Sequence, residues 1–347
     1  MNTVSWKKFE QLETLVDIRL AHEYAKSHVP RAISLPFPIN LKKLKKDYGT
    51  SCHRLAVDQL QLYVTDYKDY MESLKSHGSS LGLYGQGRLR SYLLSKIIAY
   101  PVATIQLQCG MGNRKALSGS LRNVQFLEGG FNSYLDNFYA RFETHLRFIK
   151  ICGLTGSGKT HILREIRNQG GQVVDLEQLA KHSGSTFGGI AKEKQPYQWK
   201  FEQELLLSLE AFNANRPVFI EEKGTGIGSL HIPLQLSCKT DKAQRIFLEV
   251  PTPQRINNLV KTYGGLPKKD LEKAITNIIP RLGKSRGERA IAALKLGNLQ
   301  ACAAELLDYY DRTSVYSQQS GQIIKFTNMA ETAQAILHTF EKFPIVV

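Results

Sequence analysis

Residues 153–160 read GLTGSGKT and are preceded by the apolar run RFIKIC. A strand, a glycine-rich turn and the helix HILREIRNQG in that order form a phosphate-binding P-loop, and a chain that carries one is committed to an α/β fold around it. The glycines let backbone N–H groups turn inward around phosphate oxygens, and the following helix points its positive end at them. Gly153, Thr155, Gly156, Ser157, Gly158, Lys159 and Thr160 are therefore the predicted phosphate-binding residues. Lys159 is placed to neutralise terminal phosphate charge and Thr160 to hold Mg²⁺.

The pattern around the loop extends this reading. At 347 residues the chain has room for two cores. Before residue 146, TLVDIR, AISLPF, SLGLYG, ATIQLQ and FLEGGF alternate with helical stretches, which implies a parallel sheet with crossover helices. From RFIKIC onward the alternation recurs in QVVDLE, PVFIEE, AQRIFLEV and QIIKFT, and the region from Ala274 is mostly helical. The expected architecture is two α/β domains, residues 1–146 and 147–347, the second with a helical C-terminal part. In the second, Asp175 and Glu177 follow one strand. Glu221 and Glu222 follow another, where an acid orients Mg²⁺ or water.

A formal net charge of +15 favours an anionic partner, of which nucleic acid is the commonest large one. Lys42, Lys43, Lys45 and Lys46 in one run, and Lys261, Lys268 and Lys269 in another, are candidate phosphate contacts. Tyr309, Tyr310 and Tyr316 are candidates for stacking on bases or for packing. Five scattered cysteines without a C-x-x-C pair support neither a disulfide framework nor a zinc site. The N-terminus has no signal-peptide core and no apolar run is long enough to span a bilayer, so a soluble cytoplasmic protein is expected.

Loop classes narrow by exclusion. A guanine-specific N-K-x-D is absent, its nearest counterpart being Cys238, Lys239, Thr240, Asp241. No L-S-G-G-Q follows the loop, which argues against a transport ATPase. The small-kinase-like group remains, and it needs arginines over the phosphates. Arg281, Arg286 and Arg289 are candidates.

Several runs, in order along nearly the whole chain, resemble the tRNA 2-selenouridine synthases, in which a rhodanese domain precedes a P-loop domain. They are VDLEQLAKHSGSTFG (174–188), GIGSLHIP, PTPQRINNLV, the RLG of 281–283 and LLDYYDRTSVY (306–316). In the first half, LVDIRLAHEYAKSHVPRAISLP is similar to a rhodanese opening, Tyr48, Gly49 and Thr50 to a family motif, and LEGGF to its closing strand and turn. The resemblance implies a tRNA partner and chemistry at its wobble uridine. A 2-thiouridine is S-alkylated from geranyl diphosphate, then the geranylthio group is replaced by selenium from selenophosphate. It assigns electrostatic roles to Lys159 and Thr160 and makes Asp175 a candidate Mg²⁺ ligand, beside Thr160 and the strand-end Glu221. It also makes His182 and Ser185 candidate tRNA or prenyl contacts. A diphosphate leaving group needs the same cradle as a nucleotide, so ATP stands as the alternative ligand.

Two departures qualify this. Aligning Arg90 and Ser91 with the rhodanese R-S puts Tyr84 where that domain carries its cysteine, and a phenol cannot carry a persulfide or selenide. Gly85, Gly87, Arg88 and Arg90 keep the anion-holding character of that loop. Cys52 and Cys109 are the nearest substitutes, with packing as their ordinary role. In the second half, Lys223, Gly224, Thr225 and Gly226 stand where the family has an acid, a serine and an arginine before I-G, so that loop closes with Lys223 instead. Alkyl transfer is the expected activity, and selenation is in doubt. Two alternatives are a P-loop ATPase or kinase with a degenerate rhodanese docking domain, and a non-catalytic tRNA-binding protein. Oligomeric state is left open.

Overall fold

The computed structural model describes residues 3–48, 64, 67–77, 80–85, 93–94, 98, 123–183, 194–313 and 321–341. The chain divides into two compact units, residues 1–140 and 141–347. Both are built on a parallel sheet, as the strand–helix alternation implied. The expected strand ATIQLQ lies outside the described residues, as do Gly49, Thr50, Cys52, Gly87, Arg88, Arg90, Ser91, Cys109, Ser185 and Tyr316. No helix among the described residues is long and apolar enough to cross a membrane.

In the first unit five strands run in the order β1 (Thr3–Val4), β5 (Asn123–Leu127), β4 (Ser80–Tyr84), β2 (Thr14–Asp17), β3 (Ile33–Ser34). All neighbours are parallel, with Val16 beside Leu83 and Leu83 beside Phe126. The central strand, SLGLY, is apolar on both faces, as a sheet covered on both sides requires. Its last residue, Tyr84, is fully buried, with its ring near Phe9 and stacked on Phe131. Its hydroxyl accepts a hydrogen bond from the Val29 N–H at 3.0 Å. At the end of the neighbouring strand, Asp17 takes a two-pronged ion pair from Arg19 (2.6 to 3.0 Å), also buried. The Arg19 guanidinium donates to the Ser27 carbonyl and lies 3.6 Å from the Phe131 ring centroid.

In the second unit the order is β12 (Gln322–Lys325), β11 (Gln244–Glu249), β6 (Arg147–Cys152), β8 (Pro217–Glu221), β7 (Gln172–Val174), again all parallel. The P-loop strand β6 is thus central. Helix α6 (Lys159–Asn168) packs its Ile162, Leu163 and Ile166 on the sheet beside Ile336 and Leu337 of α14 (Met329–Glu341). Between β11 and β12 the chain leaves the sheet for four helices, α10 (Thr252–Tyr263), α11 (Lys268–Leu282), α12 (Lys284–Lys295) and α13 (Leu299–Thr313), which share an apolar core around Ile275, Ile278 and Leu294. Gly287 lets α12 close on α11, because a Cβ there would stand 2.5 Å from Ile279 Cγ1. The expected arginines are used here as well. Arg286 pairs with Asp308, and Arg289 takes both oxygens of Glu305 at 2.8 and 2.9 Å, while Arg281 is exposed. The two paired guanidiniums fasten α12 to α13. Two of the three arginines expected over phosphates thus serve a helix interface.

Two outcomes follow from this packing. Asp17→Ala leaves the buried Arg19 charge uncompensated and is expected to cost roughly 3–5 kcal/mol, read as lost amide hydrogen-exchange protection in β2 and β4, with Arg19→Met in the same chain restoring part of it. Gly287→Val overpacks the α11–α12 contact and is expected to cost about 1–3 kcal/mol by urea denaturation, relieved by Ile279→Ala.

Candidate functional site: the phosphate-binding loop and its carboxylates

β6 ends at Cys152, the loop turns, and α6 begins at Lys159. Gly156 and Gly158 both have φ of 78°, a conformation that side-chain-bearing residues rarely adopt. Space is short too, since a Cβ on Gly156 would stand 2.8 Å from the Arg255 carbonyl oxygen. Helix α10 holds the loop from outside. Arg255 Nε donates to the Thr155 carbonyl at 2.9 Å, and Asn258 Nδ2 donates to the Gly156 carbonyl at 2.9 Å. The other guanidinium nitrogens of Arg255 are ion-paired with Asp311 of α13.

Inside the loop, the Lys159 ammonium folds back on the carbonyls of Gly153 (2.9 Å) and Leu154 (3.4 Å). Burial lowers its pKa below the ordinary lysine value, with Glu221 pulling the other way. The Ser157 hydroxyl is buried with no hydrogen-bond partner. A buried polar atom of that kind in a cradle of N–H groups fits an anionic ligand that would satisfy it.

The Thr160 hydroxyl faces two carboxylates, Glu221 Oε2 at 2.9 Å and Glu177 Oε2 at 3.2 Å. Glu221 closes β8, and Glu177 lies in the first turn of α7 (Leu176–Ala180), just past β7. Three adjacent strand ends therefore converge on one hydroxyl. Asp175 stands apart from them. It caps α7 by accepting the Gln178 N–H at 2.9 Å, and its other oxygen lies 3.8 Å from Arg164. The set that meets at Thr160 is Glu177 with Glu221, where the sequence reading had Asp175 with Glu221.

A fourth group completes the cluster. Lys223 Nζ lies 2.6 Å from Glu177 Oε1 and 3.1 Å from Glu221 Oε1. Desolvation works against its charge, but Glu221 and Glu177 more than offset this and raise its pKa above the ordinary value. Magnesium needs a near-octahedral shell of oxygens at about 2.0–2.1 Å and usually keeps several waters. Here both Oε2 atoms face the Thr160 hydroxyl and both Oε1 atoms hold the ammonium. As arranged, the donor set does not fit the ion.

Beside the loop lies a cavity of about 360 Å³. Thr155 of the loop is part of its wall, and the rest is mainly apolar, including Leu259, Leu271, Leu294, Ala303 and Leu307. Tyr310 also lines it, with its ring against that of Tyr309. Cys302 is in the wall as well, and burial pushes its thiol up to about 11. Burial and then Glu222 push Cys152 up to about 12, so both thiols stay protonated at neutral pH. His182 is half-buried just after α7, its N–H bonded to the Glu177 carbonyl at 3.0 Å. The lysines at 42, 43, 45, 46, 261, 268 and 269 are all exposed.

Three residues of the site escaped the sequence reading. Arg255, Asn258 and Asp311 lie in PTPQRINNLV and LLDYYDRTSVY, runs that carried only the family resemblance. Glu177 was noted only as a strand-end acid.

Comparison with known proteins fits this architecture. Residues 146–343 match the family model described as the tRNA 2-selenouridine synthase AAA domain, and residues 3–137 match that of the rhodanese-like domain. Among curated proteins, the tRNA 2-selenouridine synthase of Nitrosomonas europaea is 28% identical over 311 residues, covering 85% of this chain and 73% of that protein. The protein of the same name from Cupriavidus pinatubonensis is 25% identical over 356 residues, covering 88% of each. That from Bdellovibrio bacteriovorus is 28% identical, covering 74% of this chain and 65% of its own length. With a family model spanning more than half of its length on the P-loop unit described above, the chain belongs to the tRNA 2-selenouridine synthase AAA-domain family.

Proposed function

We propose that this chain is a tRNA-modifying transferase that S-alkylates a wobble 2-thiouridine from a prenyl diphosphate. The observation that carries the reading is that Thr155 of the phosphate loop also stands in the wall of an apolar cavity. A prenyl diphosphate is an anion joined to a hydrocarbon, and those two chemistries adjoin here at Thr155. The volume is at the small end of ligand pockets, which suits one short chain. ATP matches the loop equally well but the cavity less well, because an adenine edge brings polar atoms into a mainly aliphatic wall.

In this mechanism the thiouridine sulfur attacks the prenyl C1, the C1–O bond breaks, and the base loses its N3 proton to solvent. The electron pair leaves with the diphosphate. Loop N–H groups, the Ser157 hydroxyl and the Lys159 ammonium then stabilise charge that is greater on the leaving group than on the ester, which is the condition for lowering the barrier. Exposed lysines on α3 (Leu41–Tyr48) and around α11 supply diffuse attraction for the tRNA backbone.

The same reading assigns Tyr84 to the position of the rhodanese cysteine. Its phenol is buried, and its pKa is raised by burial and then by Asp17. It offers no thiolate for sulfur or selenium, so alkylation is the step retained, and selenophosphate has no nucleophile at Tyr84.

The direct test incubates the protein with 2-thiouridine tRNA and geranyl diphosphate, followed by nucleoside mass spectrometry. S-geranyl-2-thiouridine is expected, and Lys159→Ala is expected to lower its rate about 100-fold or more. Unmodified 2-thiouridine together with ATP turnover that vanishes in Lys159→Ala would replace this reading with an ATPase. Ala303→Trp fills the cavity and displaces two or more carbons of the chain, so the KM for geranyl diphosphate is expected to rise about 10-fold or more. Pyrophosphate affinity should be unchanged.

A further inference from the structure

We infer that Lys223 is the resident counter-cation of this phosphate site and stands in place of a divalent metal. The inference rests on reading the loop as a diphosphate cradle and asks how the cradle tolerates two carboxylates beside it. Unpaired, Glu177 and Glu221 would repel any phosphate brought to Lys159 and Thr160. A metal-dependent P-loop cancels such acids with Mg²⁺. Here one ammonium contacts both acids, at 2.6 and 3.1 Å, through the oxygens that Thr160 leaves.

One further feature argues that the ammonium is the working occupant and no placeholder. Its side chain is only 15% exposed, so it is seated in the protein and not lying across a surface. The other buried lysine nearby, Lys150, is paired with Asp241 at 3.2 Å and leaves the two glutamates to Lys223.

Calorimetric titration of inorganic pyrophosphate into the full chain tests this. For the unaltered protein, affinity in EDTA and in excess Mg²⁺ should agree within about 3-fold. Lys223→Met should lose about 10-fold or more in EDTA, the range of a hydrogen bond to a charged group, and recover in Mg²⁺ as the ion takes the freed carboxylates. Lys223→Arg should still bind in EDTA. Binding by the unaltered protein that requires Mg²⁺ overturns the inference while leaving the cradle intact, and this arm needs no variant to fold. Undiminished binding by Lys223→Met in EDTA overturns it too. Absence of pyrophosphate binding under both conditions overturns the cradle and the inference together.

Discussion

Two carbonyls of the phosphate loop, those of Thr155 and Gly156, are held by Arg255 and Asn258 of α10, and the arrangement of the C-terminal unit depends on that attachment. A glycine-rich loop gains conformational freedom and loses the side chains that would fix it, so its shape must be imposed from outside. Arg255 can impose it because its remaining nitrogens are locked on Asp311. Arg255 is buried while Asp311 is partly exposed, so loss of Asp311 would leave a buried guanidinium without its ionic partner. Asp311 lies on α13, which also supplies Cys302, Ala303 and Leu307 to the cavity wall. One ion pair thus shapes the anion cradle and holds the apolar pocket next to it. That coupling explains why the chain leaves the sheet for four helices between β11 and β12.

The electrostatics of the cradle follow a second constraint. Two unit charges 4 Å apart interact by about 4 kcal/mol at an effective dielectric of about 20. A pair of glutamates beside a phosphate loop therefore needs local compensation. Lys223 brings one positive charge to both Oε1 atoms, and the neutral Thr160 hydroxyl gives the Oε2 atoms a hydrogen-bond donor. Lys159 is left for the ligand. Its present partners are neutral carbonyls, and it is desolvated, so an arriving anion offers it a better partner than it has.

What was legible in the sequence was whatever is set by neighbours along the chain. GLTGSGKT after RFIKIC fixed a strand, a turn and a helix because glycine conformation and helix polarity are local properties. The strands QVV and PVFIE were legible for the same reason. What failed was the choice among candidates that only three-dimensional pairing decides. Asp175 and Glu177 are two residues apart after one strand, and either could have faced Thr160. A short acid at the first position before a helix is drawn to cap it, and Asp175 does so on Gln178. The longer Glu177, one step into the helix, is left to reach the hydroxyl. Likewise Arg286 and Arg289 stood out as candidates for phosphate, but their partners Asp308 and Glu305 lie on a helix about twenty residues on, where local pattern carries no information. Lys223 was legible as a departure from the family pattern, while its grip on two carboxylates was not.

The N-terminal unit shows the opposite disposition of charge. Ligands of parallel sheets bind outside the carboxyl ends of the strands, so the ends of β2 and β4 are where an anion would be expected. At those ends Arg19 is the described cation, and its Nε and Nη2 are engaged within the unit. It meets both oxygens of Asp17, the Ser27 carbonyl and the face of Phe131. Tyr84 occupies the strand end itself, buried against Phe9 and Phe131 and bonded to Val29. A reactive sulfur at that end would need an open position and a free positive charge to hold it as the thiolate. Among the described residues, the strand end holds an aromatic ring and the Arg19 charge is paired with Asp17. On the proposed reading, the chemical step therefore falls to the unit that carries Lys159, whose ammonium is hydrogen-bonded to neutral carbonyls.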